Sequence, residues 1–371
     1  MDLDRHSLRQ GWTTGACAAA ATWAAVYRLL TGLCPTHSEI VLPNGNSACF
    51  ALARVELSSQ GVLAGVVKDG GDDPDCTHGL EIQCLATRIS SGEFHHPVID
   101  LRGGEGVATV TLPGLELPIG EAAINPVPRA HILQIARELL AEYGDGCGLR
   151  LEIRVPGGEQ AAKETISERL GLIGGISILG TRGTVRPYST CAFAASVKQS
   201  VQVARAVGWQ EVVLTTGSRT ERAARQLFTH LTGSSVIQAG DFVGMGLRAA
   251  RHFGCQRVRV VAMIGKLCKL ATGQMMTHVS GKAIDFAALA LLAEELGLND
   301  FSAKVQAAHT GRHLLELSQS DLAEDVSQRY LAQICDAAAE HGRSYVGHAC
   351  QVDIYLVDFS GRCLAQSKEI Q

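Results

Sequence analysis

The chain has 371 residues and a nearly balanced charge, with 33 lysine and arginine residues against 37 aspartate and glutamate residues. This length exceeds the size at which one hydrophobic core usually stops growing, so we expect two domains. The balanced charge gives no support to an electrostatic grip on nucleic acid or on an anionic membrane surface.

The twelve cysteines show no CxxC pair and no repeating framework, which favours reduced thiols over disulfides or zinc ligands. The alanine-rich N-terminus resembles a signal peptide, but threonines and a glycine between residues 13 and 22 interrupt its apolar region. The most apolar segment, 283–293, contains Asp285 and is too short to cross a bilayer. The sequence therefore predicts a cytoplasmic protein without a membrane segment.

Residues 1–160 are predicted to form a mixed α+β domain. Its short strand-like and helical segments do not alternate regularly, and glycine and proline turns separate them. The predicted strands are 39–42, 51–57, 62–68, 107–112 and 149–155, and the predicted helices are 16–30 and 131–143.

Residues 161–371 are predicted to form an α/β, Rossmann-like domain with a mostly parallel sheet flanked by helices, because buried strand patterns alternate there with helices. The strands are 176–179, 211–214, 235–238 and 257–264, and the helices are 192–207, 221–231, 245–253 and 282–296. A long helical stretch, 302–341, and a final strand, 351–357, follow.

In parallel sheets, ligands lie beyond the carboxyl ends of the strands, so we examine the turns that follow them. Four of these turns are rich in glycine, hydroxyl or basic residues: 180–183, 215–219, 240–246 and 265–269. Ser218 and Glu221 have capping-box spacing at a predicted helix start. The predicted cofactor contacts in these turns are Thr216, Gly217, Asp241, Gly244 and Gly246.

The pattern Gly244-x-Gly246-x-x-Ala249 follows a strand and opens a helix, as a dinucleotide fingerprint does. No acidic residue lies at the usual distance downstream to hold a ribose. Two interpretations therefore stay open: the glycines approach a ligand, or they allow close packing of the helix on the strand.

Residues 68–79 concentrate four carboxylates and an imidazole in a turn-forming segment. A carboxylate or His78 is a candidate base, and the acidic residues are candidates to face a cationic ligand. The alternative is a solvated acidic turn. The spacing does not match an EF-hand, and His309 and His313 lack the glutamate of the metalloprotease motif, so we predict no protein metal site.

Residues 11–25 combine Thr13, Thr14 and Gly15 with an alanine-rich helix of small side chains. Thr13 or Thr14 is a candidate N-cap, and the first-turn amides make a seat for a carboxylate or a phosphate. The alternative is a small-residue helix packed closely in a core.

Six ordered motifs closely resemble those of the cobalt-precorrin-5B C(1)-methyltransferase family, known as CbiD. The resemblance runs from about residue 8 to residue 285 and continues more weakly beyond it. The motifs are Leu8-Arg9-x-Gly11-x-Thr13-Thr14-Gly15-x-Cys17-Ala18-Ala19-Ala20, Lys68-Asp69-x-Gly71-Asp72-Asp73-Pro74-Asp75, Gly103-Gly104-Glu105-Gly106-Val107, Ile124-Asn125-Pro126-Val127-Pro128-Arg129, residues 170–181, and Gly265-Lys266-x-x-Lys269 followed by Thr277-His278.

The resemblance implies transfer of a methyl group from S-adenosyl-L-methionine to carbon 1 of a cobalt-containing ring in anaerobic cobalamin (vitamin B12) biosynthesis. The cobalt arrives with the tetrapyrrole substrate. The chain departs from the family pattern at Trp23, where lysine is usual, at Cys76, where a small aliphatic residue is usual, at Asp241, where asparagine is usual, and at Met263, where histidine is usual.

For this reaction, His78 or Asp75 is the predicted base, and Asp72 and Asp73 are predicted to face the cationic cofactor or to fix the loop. A substrate with many carboxylate arms requires cationic donors, since each unpaired desolvated carboxylate is costly. The predicted substrate contacts are Thr13, Thr14, Arg9, Lys68, Arg102, Arg129, Lys163, Arg182, Lys266 and Lys269.

Two other functional classes are weighed against this one. An NAD-dependent oxidoreductase would use the Gly244 fingerprint, and a non-catalytic tetrapyrrole carrier would bind the ring without consuming S-adenosylmethionine. The sequence leaves open whether the protein is a homo-oligomer and whether neighbouring pathway enzymes hand over the unstable substrate by transient contact.

Overall fold

The computed structural model describes residues 8–89, 98–278 and 281–368. It divides into two compact units, Met1–Ser189 and Thr190–Gln371, called unit 1 and unit 2 below. The sequence placed the domain boundary at 160/161, whereas residues 161–189 belong to unit 1 in this division.

The described part of unit 1 contains the following elements. The strands are β1 (Gly11–Trp12), β2 (His37–Val41), β3 (Ser47–Ala51), β4 (Arg54–Ser58), β5 (Gly61–Val67), β6 (Glu81–Ile89), β7 (Ile99–Gly103), β8 (Gly106–Val107), β9 (Thr109–Val110), β10 (Gly148–Arg154), β11 (Leu172–Ile173), β12 (Gly175–Ile176) and β13 (Thr184–Val185). The helices are α1 (Thr14–Thr31), α2 (Pro126–Tyr143) and α3 (Gly158–Ala162).

The main sheet of unit 1 has the strand order β4-β5-β6-β10-β7, in which β10 runs antiparallel to β6 and parallel to β7. Helix α1 packs against β5, β6 and α2. Its alanines, from Ala16 to Ala25, are buried in the core of this unit. Small side chains allow helix and sheet to approach closely. This packing corresponds to the second interpretation of residues 11–25, a small-residue helix packed closely in a core.

The nine-residue strand β6 was missed from the sequence. Residues Ile82–Ala86 are all buried, so this central strand lacks the alternation of apolar and polar residues that marks a half-exposed strand. The predicted strand 51–57 was also wrong, because the chain ends β3 at Ala51 and begins β4 at Arg54.

The strand predicted at 176–179 does not join the second sheet. Its first residue, Ile176, belongs to β12, which pairs in parallel with β8, and β11 pairs with β9. Strand β13 pairs with β1 near the start of the chain. These pairings tie residues 161–189 to unit 1.

The described part of unit 2 contains eight helices and five strands. The strands are β14 (Glu211–Thr215), β15 (Val236–Gln238), β16 (Arg257–Ala262), β17 (Gln351–Val357) and β18 (Cys363–Gln366). The helices are α4 (Thr190–Ala206), α5 (Ser218–Leu227), α6 (Val243–His252), α7 (Ile264–Ala271), α8 (Phe286–Glu295), α9 (Asn299–Gln306), α10 (Gly311–Asp321) and α11 (Glu324–Tyr345).

The sheet of unit 2 has the order β15-β14-β16-β17-β18, with four parallel strands and β18 antiparallel at one edge. The predicted strands 211–214, 235–238, 257–264 and 351–357 are confirmed within two residues at each end. Strands β15 and β16 flank β14 on opposite sides, so the carboxyl ends of β14 and β16 adjoin a topological switch point.

The long helical stretch predicted at 302–341 is wrong as a single element, because α9, α10 and α11 occupy it. Thr310 begins α10 as its N-cap, since its side chain accepts a hydrogen bond from the His313 amide at 3.0 Å. In the part of the chain that the structure describes, none of the helices combines the length and apolarity that a bilayer crossing requires.

Candidate functional site

The start of α1 confirms Thr13 as the N-cap. The Thr13 Oγ1 accepts from the Ala16 amide at 3.1 Å, and the Thr14 Oγ1 accepts from the Leu179 amide at 2.9 Å. The Gly15 amide donates to the Leu179 carbonyl at 3.0 Å. Both threonines are buried, and their hydroxyls hold the helix start in place. Their predicted contact with the substrate stays a prediction.

Glycines in the motifs of unit 1 let backbone segments touch. A Cβ on Gly11 would lie 2.1 Å from the Gly70 carbonyl carbon, and one on Gly15 would lie 2.6 Å from Pro128 Cγ. The Trp12 amide donates to the Asp69 carbonyl at 2.7 Å. The structure therefore joins the segments 9–15, 68–79, 125–129 and 177–183, which together we call the N-terminal site.

Within this site, the buried Lys68 forms an ion pair with the partly buried Asp75. The Lys68 side chain is 1% exposed, and its Nζ lies 2.5 Å from Asp75 Oδ2. The other oxygen of Asp75 accepts from the Thr77 amide at 2.8 Å. Burial raises the pKa of Asp75, but the bonds from Lys68 and Thr77 outweigh it and the net pKa is lowered. Such a carboxylate is a weak base, and Lys68 already has its anionic partner.

His78 uses one particular ring nitrogen in a hydrogen bond to the backbone. The Gly70 amide donates to His78 Nδ1 at 2.9 Å, and the His78 side chain is 55% exposed. Because Nδ1 accepts this bond, a neutral His78 carries its proton on Nε2. In this conformation Nε2 is a hydrogen-bond donor rather than a proton acceptor.

Two further aspartates of the loop are held by backbone amides. Asp72 is exposed, and its Oδ2 accepts from the Arg9 amide at 2.7 Å. Asp73 Oδ1 accepts from the Tyr188 amide at 2.8 Å. Tyr188 has a φ of 54°, which is uncommon for a residue other than glycine, and sequence reasoning gave no signal for it. Both aspartates therefore help to fix the loop.

The other predicted cations of unit 1 differ in how many of their hydrogen-bond donors are used by neighbouring groups. Arg9 Nη2 donates to Asp69 Oδ1 at 2.9 Å, and this guanidinium lowers the Asp69 pKa to about 2. Arg129 pairs with Glu121 at 2.9 Å, while its buried Nε has no hydrogen-bond partner among the described residues. Lys163 donates to the Gln160 side chain, and Arg182 is exposed.

In unit 2, Lys266 joins three turns at the edge where the parallel strands end. Its Nζ donates to the Thr216 carbonyl at 2.8 Å and lies 3.0 Å from Asp241 Oδ1. Asp241 also accepts from Thr277 Oγ1 at 3.0 Å. Burial raises the Asp241 pKa, but Lys266 and Thr277 outweigh it and the net pKa is lowered. We call the turns 215–219, 239–242 and 263–266 the carboxyl-edge site.

The glycines predicted to contact a cofactor fall into two groups. A Cβ on Gly244 would lie 2.7 Å from Met275 Cβ, and one on Gly246 would lie 2.6 Å from Leu214 Cδ1. These two glycines permit α6 to pack closely on its neighbours. This corresponds to the second interpretation of the Gly244-x-Gly246 pattern, close packing of the helix on the strand. At Gly217, in contrast, a Cβ would meet no described atom within 4 Å. The same holds for Gly265, which was not among the predicted cofactor contacts. At both positions the side of the backbone where a Cβ would stand is open.

Two details of this region differ from the sequence interpretation. Lys269 is 8% exposed and donates to the His278 carbonyl at 2.9 Å, so it is a structural donor. The predicted capping box of Ser218 and Glu221 was wrong, because the N-cap of α5 is Gly217 without a side-chain cap bond. Thr220 Oγ1 instead accepts from the Thr216 amide at 2.9 Å.

Sequence reasoning also missed three side chains that meet at the end of unit 2's central strands. Arg219 and Arg312 both lie over the ring of Phe359, which is 58% exposed. A large aromatic residue in an Asp-Phe-Ser-Gly turn after the final predicted strand was the available signal.

A cavity of about 810 Å³ in unit 1 lies between α2 and the β2–β3 hairpin. Trp23, His131, Glu39 and Glu138 are among its lining residues, and that lining contains no lysine or arginine. Burial lowers the pKa of His131 and so favours its neutral form. This lining is poorly suited to a ligand rich in carboxylates.

The described residues contain no group of three or more histidine, cysteine, aspartate or glutamate side chains arranged to hold a metal ion. His309 and His313 have ring centroids 6.0 Å apart. All twelve cysteines are free thiols. Burial raises the pKa of Cys17 and of Cys268 to about 12, which leaves both protonated at neutral pH.

The two units define a mixed α/β protein with a parallel sheet whose carboxyl edge carries polar, glycine-containing turns. Comparison with protein families makes the assignment specific: the CbiD model matches residues 1–187, and the model for the C-terminal domain of CbiD matches residues 276–368. The chain belongs to the CbiD family.

Curated relatives match almost the whole chain. A protein of Geobacillus sp. (strain WCH70) is 44% identical over 98% of this chain and 97% of its own length. One of Salinispora tropica is 47% identical, over 96% and 91%. Both are named cobalt-precorrin-5B C(1)-methyltransferase. A crystal structure of cobalamin biosynthesis protein (cbiD) from Archaeoglobus fulgidus is 26% identical, with a TM-score of 0.39, over 78% of this chain and 85% of that one.

Proposed function

We propose that the protein is a cobalt-precorrin-5B C(1)-methyltransferase, which methylates carbon 1 of a cobalt-bearing tetrapyrrole with S-adenosylmethionine in anaerobic cobalamin biosynthesis. The observation that carries the proposal is 44% identity to a relative of that name over 98% of the chain. Neither an NAD-dependent oxidoreductase nor a tetrapyrrole carrier is favoured by these relatives. The enzyme would work in the cytoplasm, where its free thiols stay reduced.

In this reaction the ring carbon supplies an electron pair to the methyl group, the bond between carbon and sulfur breaks, and S-adenosylhomocysteine leaves. The cofactor supplies the activated methyl group. The task of the protein is alignment of the two reactants and exclusion of water, because the positive charge on sulfur disappears as the methyl group moves. No protein nucleophile is required.

We assign the cofactor to the carboxyl-edge site. The sheet order β15-β14-β16-β17 corresponds to 2-1-3-4, one of the orders of doubly wound sheets, and it supports a Rossmann-like assignment for unit 2. Ligands of such sheets lie at the switch point, which here adjoins Thr216 and Lys266. The open backbone at Gly217 and Gly265 fits the close approach of a cofactor. Gly244 and Gly246 would support this site through packing.

We assign the carboxylate arms of the substrate to cations that retain free donors. Arg182 is exposed, Lys163 carries one bond to Gln160, and Arg129 keeps guanidinium donors beyond its pair with Glu121. Lys68 and Lys269 are buried against protein acceptors and would act through the backbone that they hold. Arg9 keeps donors beyond its pair with Asp69.

If the ring loses a proton, Asp72 is the best-placed acceptor among the predicted residues. Its carboxylate is exposed, whereas that of Asp75 is bound to Lys68 and Thr77. His78 would donate a hydrogen bond to the substrate through Nε2. Asp75 would fix the loop.

The test is anaerobic incubation of the purified protein with cobalt-precorrin-5B and S-adenosylmethionine that carries a deuterated methyl group. Mass spectrometry should show one deuterated methyl group on the tetrapyrrole and an equal amount of S-adenosylhomocysteine. Binding of the ring without a gain in mass would indicate a carrier. Reduction or oxidation that depends on NAD(H) would indicate an oxidoreductase.

A further inference from the structure

Two arginines of unit 2 stack on one exposed phenyl ring. The Cζ of Arg219 lies 5.4 Å from the ring centroid of Phe359, and the Cζ of Arg312 lies 5.8 Å from the same centroid. The three residues come from three elements: the first turn of α5, the first turn of α10, and the turn between β17 and β18. Separate parts of the chain therefore converge on this ring.

The turn that carries Phe359 is held in a defined shape. Asp358 Oδ1 accepts from the Ser360 amide at 2.8 Å and from the Arg362 amide at 3.0 Å. These bonds and the backbone bonds hold the pKa of Asp358 below its usual range, although burial opposes them. The phenyl ring is thus presented from a rigid turn while more than half of it stays exposed.

Both arginines adjoin the carboxyl-edge site. Arg219 lies three residues after Thr216, whose carbonyl accepts from Lys266. A Cβ on Gly311 would lie 2.6 Å from the Gly265 Cα, so the residue before Arg312 touches the turn that contains Lys266. Three cationic side chains and an aromatic ring therefore lie along one edge of the sheet.

Both arginines can offer donors to an anion. Arg312 pairs with Glu316 at 2.8 Å, but the two side chains are 73% and 58% exposed, so water screens this pair strongly. A guanidinium carries five N–H donors, so Arg312 keeps others beyond this bond. Asp358 Oδ1, in the same turn as Phe359, is held by the Ser360 and Arg362 amides.

We propose that Arg219, Arg312 and Phe359 form a carboxylate subsite at the edge of the sheet. Guanidinium groups bind carboxylates through paired hydrogen bonds, and a ring face orients a guanidinium while excluding water from one side. The inference rests on the proposed function, in which two reactants carry carboxylates: the arms of the tetrapyrrole and the methionine part of the cofactor.

The experiment compares the native protein with the double variant Arg219→Gln/Arg312→Gln. Arg222→Gln is the matched control, because Arg222 is an exposed arginine on the same helix as Arg219. One arm measures the affinity of a stable cobalt corrinoid with free carboxylate arms and of its methyl ester. The other arm measures, by calorimetry, the affinity for S-adenosylhomocysteine and for methylthioadenosine, which lacks the amino-acid carboxylate. Thermal melting verifies that each variant is folded.

We expect the double variant to lose about tenfold or more in affinity for one carboxylate-bearing probe and to bind its carboxylate-free partner normally. Loss confined to the free-acid corrinoid identifies a substrate arm as the ligand. Loss confined to S-adenosylhomocysteine identifies the methionine carboxylate. Unchanged affinity for both acids, or an equal loss in the Arg222→Gln control, overturns the subsite.

This result is separable from a failure of the proposed function. If the native protein transfers no methyl group but the double variant still loses carboxylate binding, the enzymatic assignment fails and the subsite stands. If the native protein methylates the ring and neither affinity changes in the double variant, the subsite is wrong and the enzymatic assignment stands.

Discussion

Lys266 and Asp241 connect the turns after two different strands of the unit 2 sheet, with 3.0 Å between Nζ and Oδ1. The same ammonium donates to the Thr216 carbonyl, so it holds a third turn in place. Two of its three N–H groups are thereby used within the protein, and one remains for a ligand. Lys266 is both a brace of the carboxyl-edge site and a candidate ligand contact.

The variant Lys266→Met should lower the free energy of unfolding by about 1–3 kcal/mol, because it leaves the Thr216 carbonyl and the Asp241 carboxylate without their donor. Urea denaturation measures this change. The double variant Lys266→Met/Asp241→Asn should recover part of the loss, since it also removes the unpaired charge. If the effects of the two single changes on the free energy of unfolding simply add in the double variant, the pairing is contradicted.

The variant Asp75→Asn should be strongly destabilising, by about 3–5 kcal/mol, because it leaves the buried Lys68 ammonium without a compensating charge. The matched control is Asp72→Asn in the same loop. Asp72 is exposed, and an asparagine Oδ1 can still accept the hydrogen bond from the Arg9 amide, so this change should stay within about 0.5 kcal/mol of the native protein. Equal denaturation midpoints for the two variants would refute a buried ion pair.

The Lys68–Asp75 pair also predicts the direction of a pH effect. The folded protein lowers the pKa of Asp75. The pair therefore contributes stability above the ordinary carboxyl pKa, and this contribution is lost as the pH falls through the lowered value. As the pH is lowered from 6 to about 4 and below, the unfolding free energy should decline less for Asp75→Asn than for Asp72→Asn. Parallel curves would contradict this assignment.

Glycine variants distinguish packing from ligand approach. Gly246→Ala should cost about 1–3 kcal/mol, because its Cβ would press on Leu214. Gly217→Ala should leave the melting temperature nearly unchanged, because its Cβ enters open space. If the cofactor lies at the carboxyl edge, Gly217→Ala should nevertheless weaken S-adenosylhomocysteine binding in calorimetry. Native affinity in a folded Gly217→Ala protein would place the cofactor elsewhere.

The hydrogen bond from Gly70 to His78 predicts one tautomer. In its neutral form His78 should carry its proton on Nε2, and nitrogen NMR of the labelled imidazole should show a protonated Nε2 and an unprotonated Nδ1. The spectrum of His78→Gln identifies the signal by its absence. A proton on Nδ1 would show that the Gly70 bond does not form in solution.

Much of unit 2 was predictable because its strands are short, continuous apolar runs. Residues Val212–Leu214 and Val260–Ala262 are fully buried, and such runs separated by helical periods are typical of parallel sheets. The same rule missed β6, whose buried residues include Gln83. A polar residue buried inside a central strand cannot be distinguished from a surface residue by the local sequence pattern.

The candidate residues of the sites were predictable by type, but their roles were not. Lysines in motif segments all look like ligand contacts in the sequence. The structure divides them, since Lys68 is buried against Asp75, Lys269 against backbone carbonyls, and Lys163 lies exposed. Burial and pairing depend on which neighbours fold around a charge, and sequence spacing does not specify them.

By itself, the sequence determined the family, a threonine N-cap at residue 13 or 14 and the parallel-strand rhythm of unit 2. These follow from local chemistry: motif identity, an N-cap hydroxyl and runs of buried residues. Only the tertiary structure decided that Gly246 serves packing, that His78 Nδ1 accepts from the Gly70 amide, and that Arg219 and Arg312 meet at Phe359. Each of these relationships joins atoms distant in sequence, and the folded backbone sets their distances.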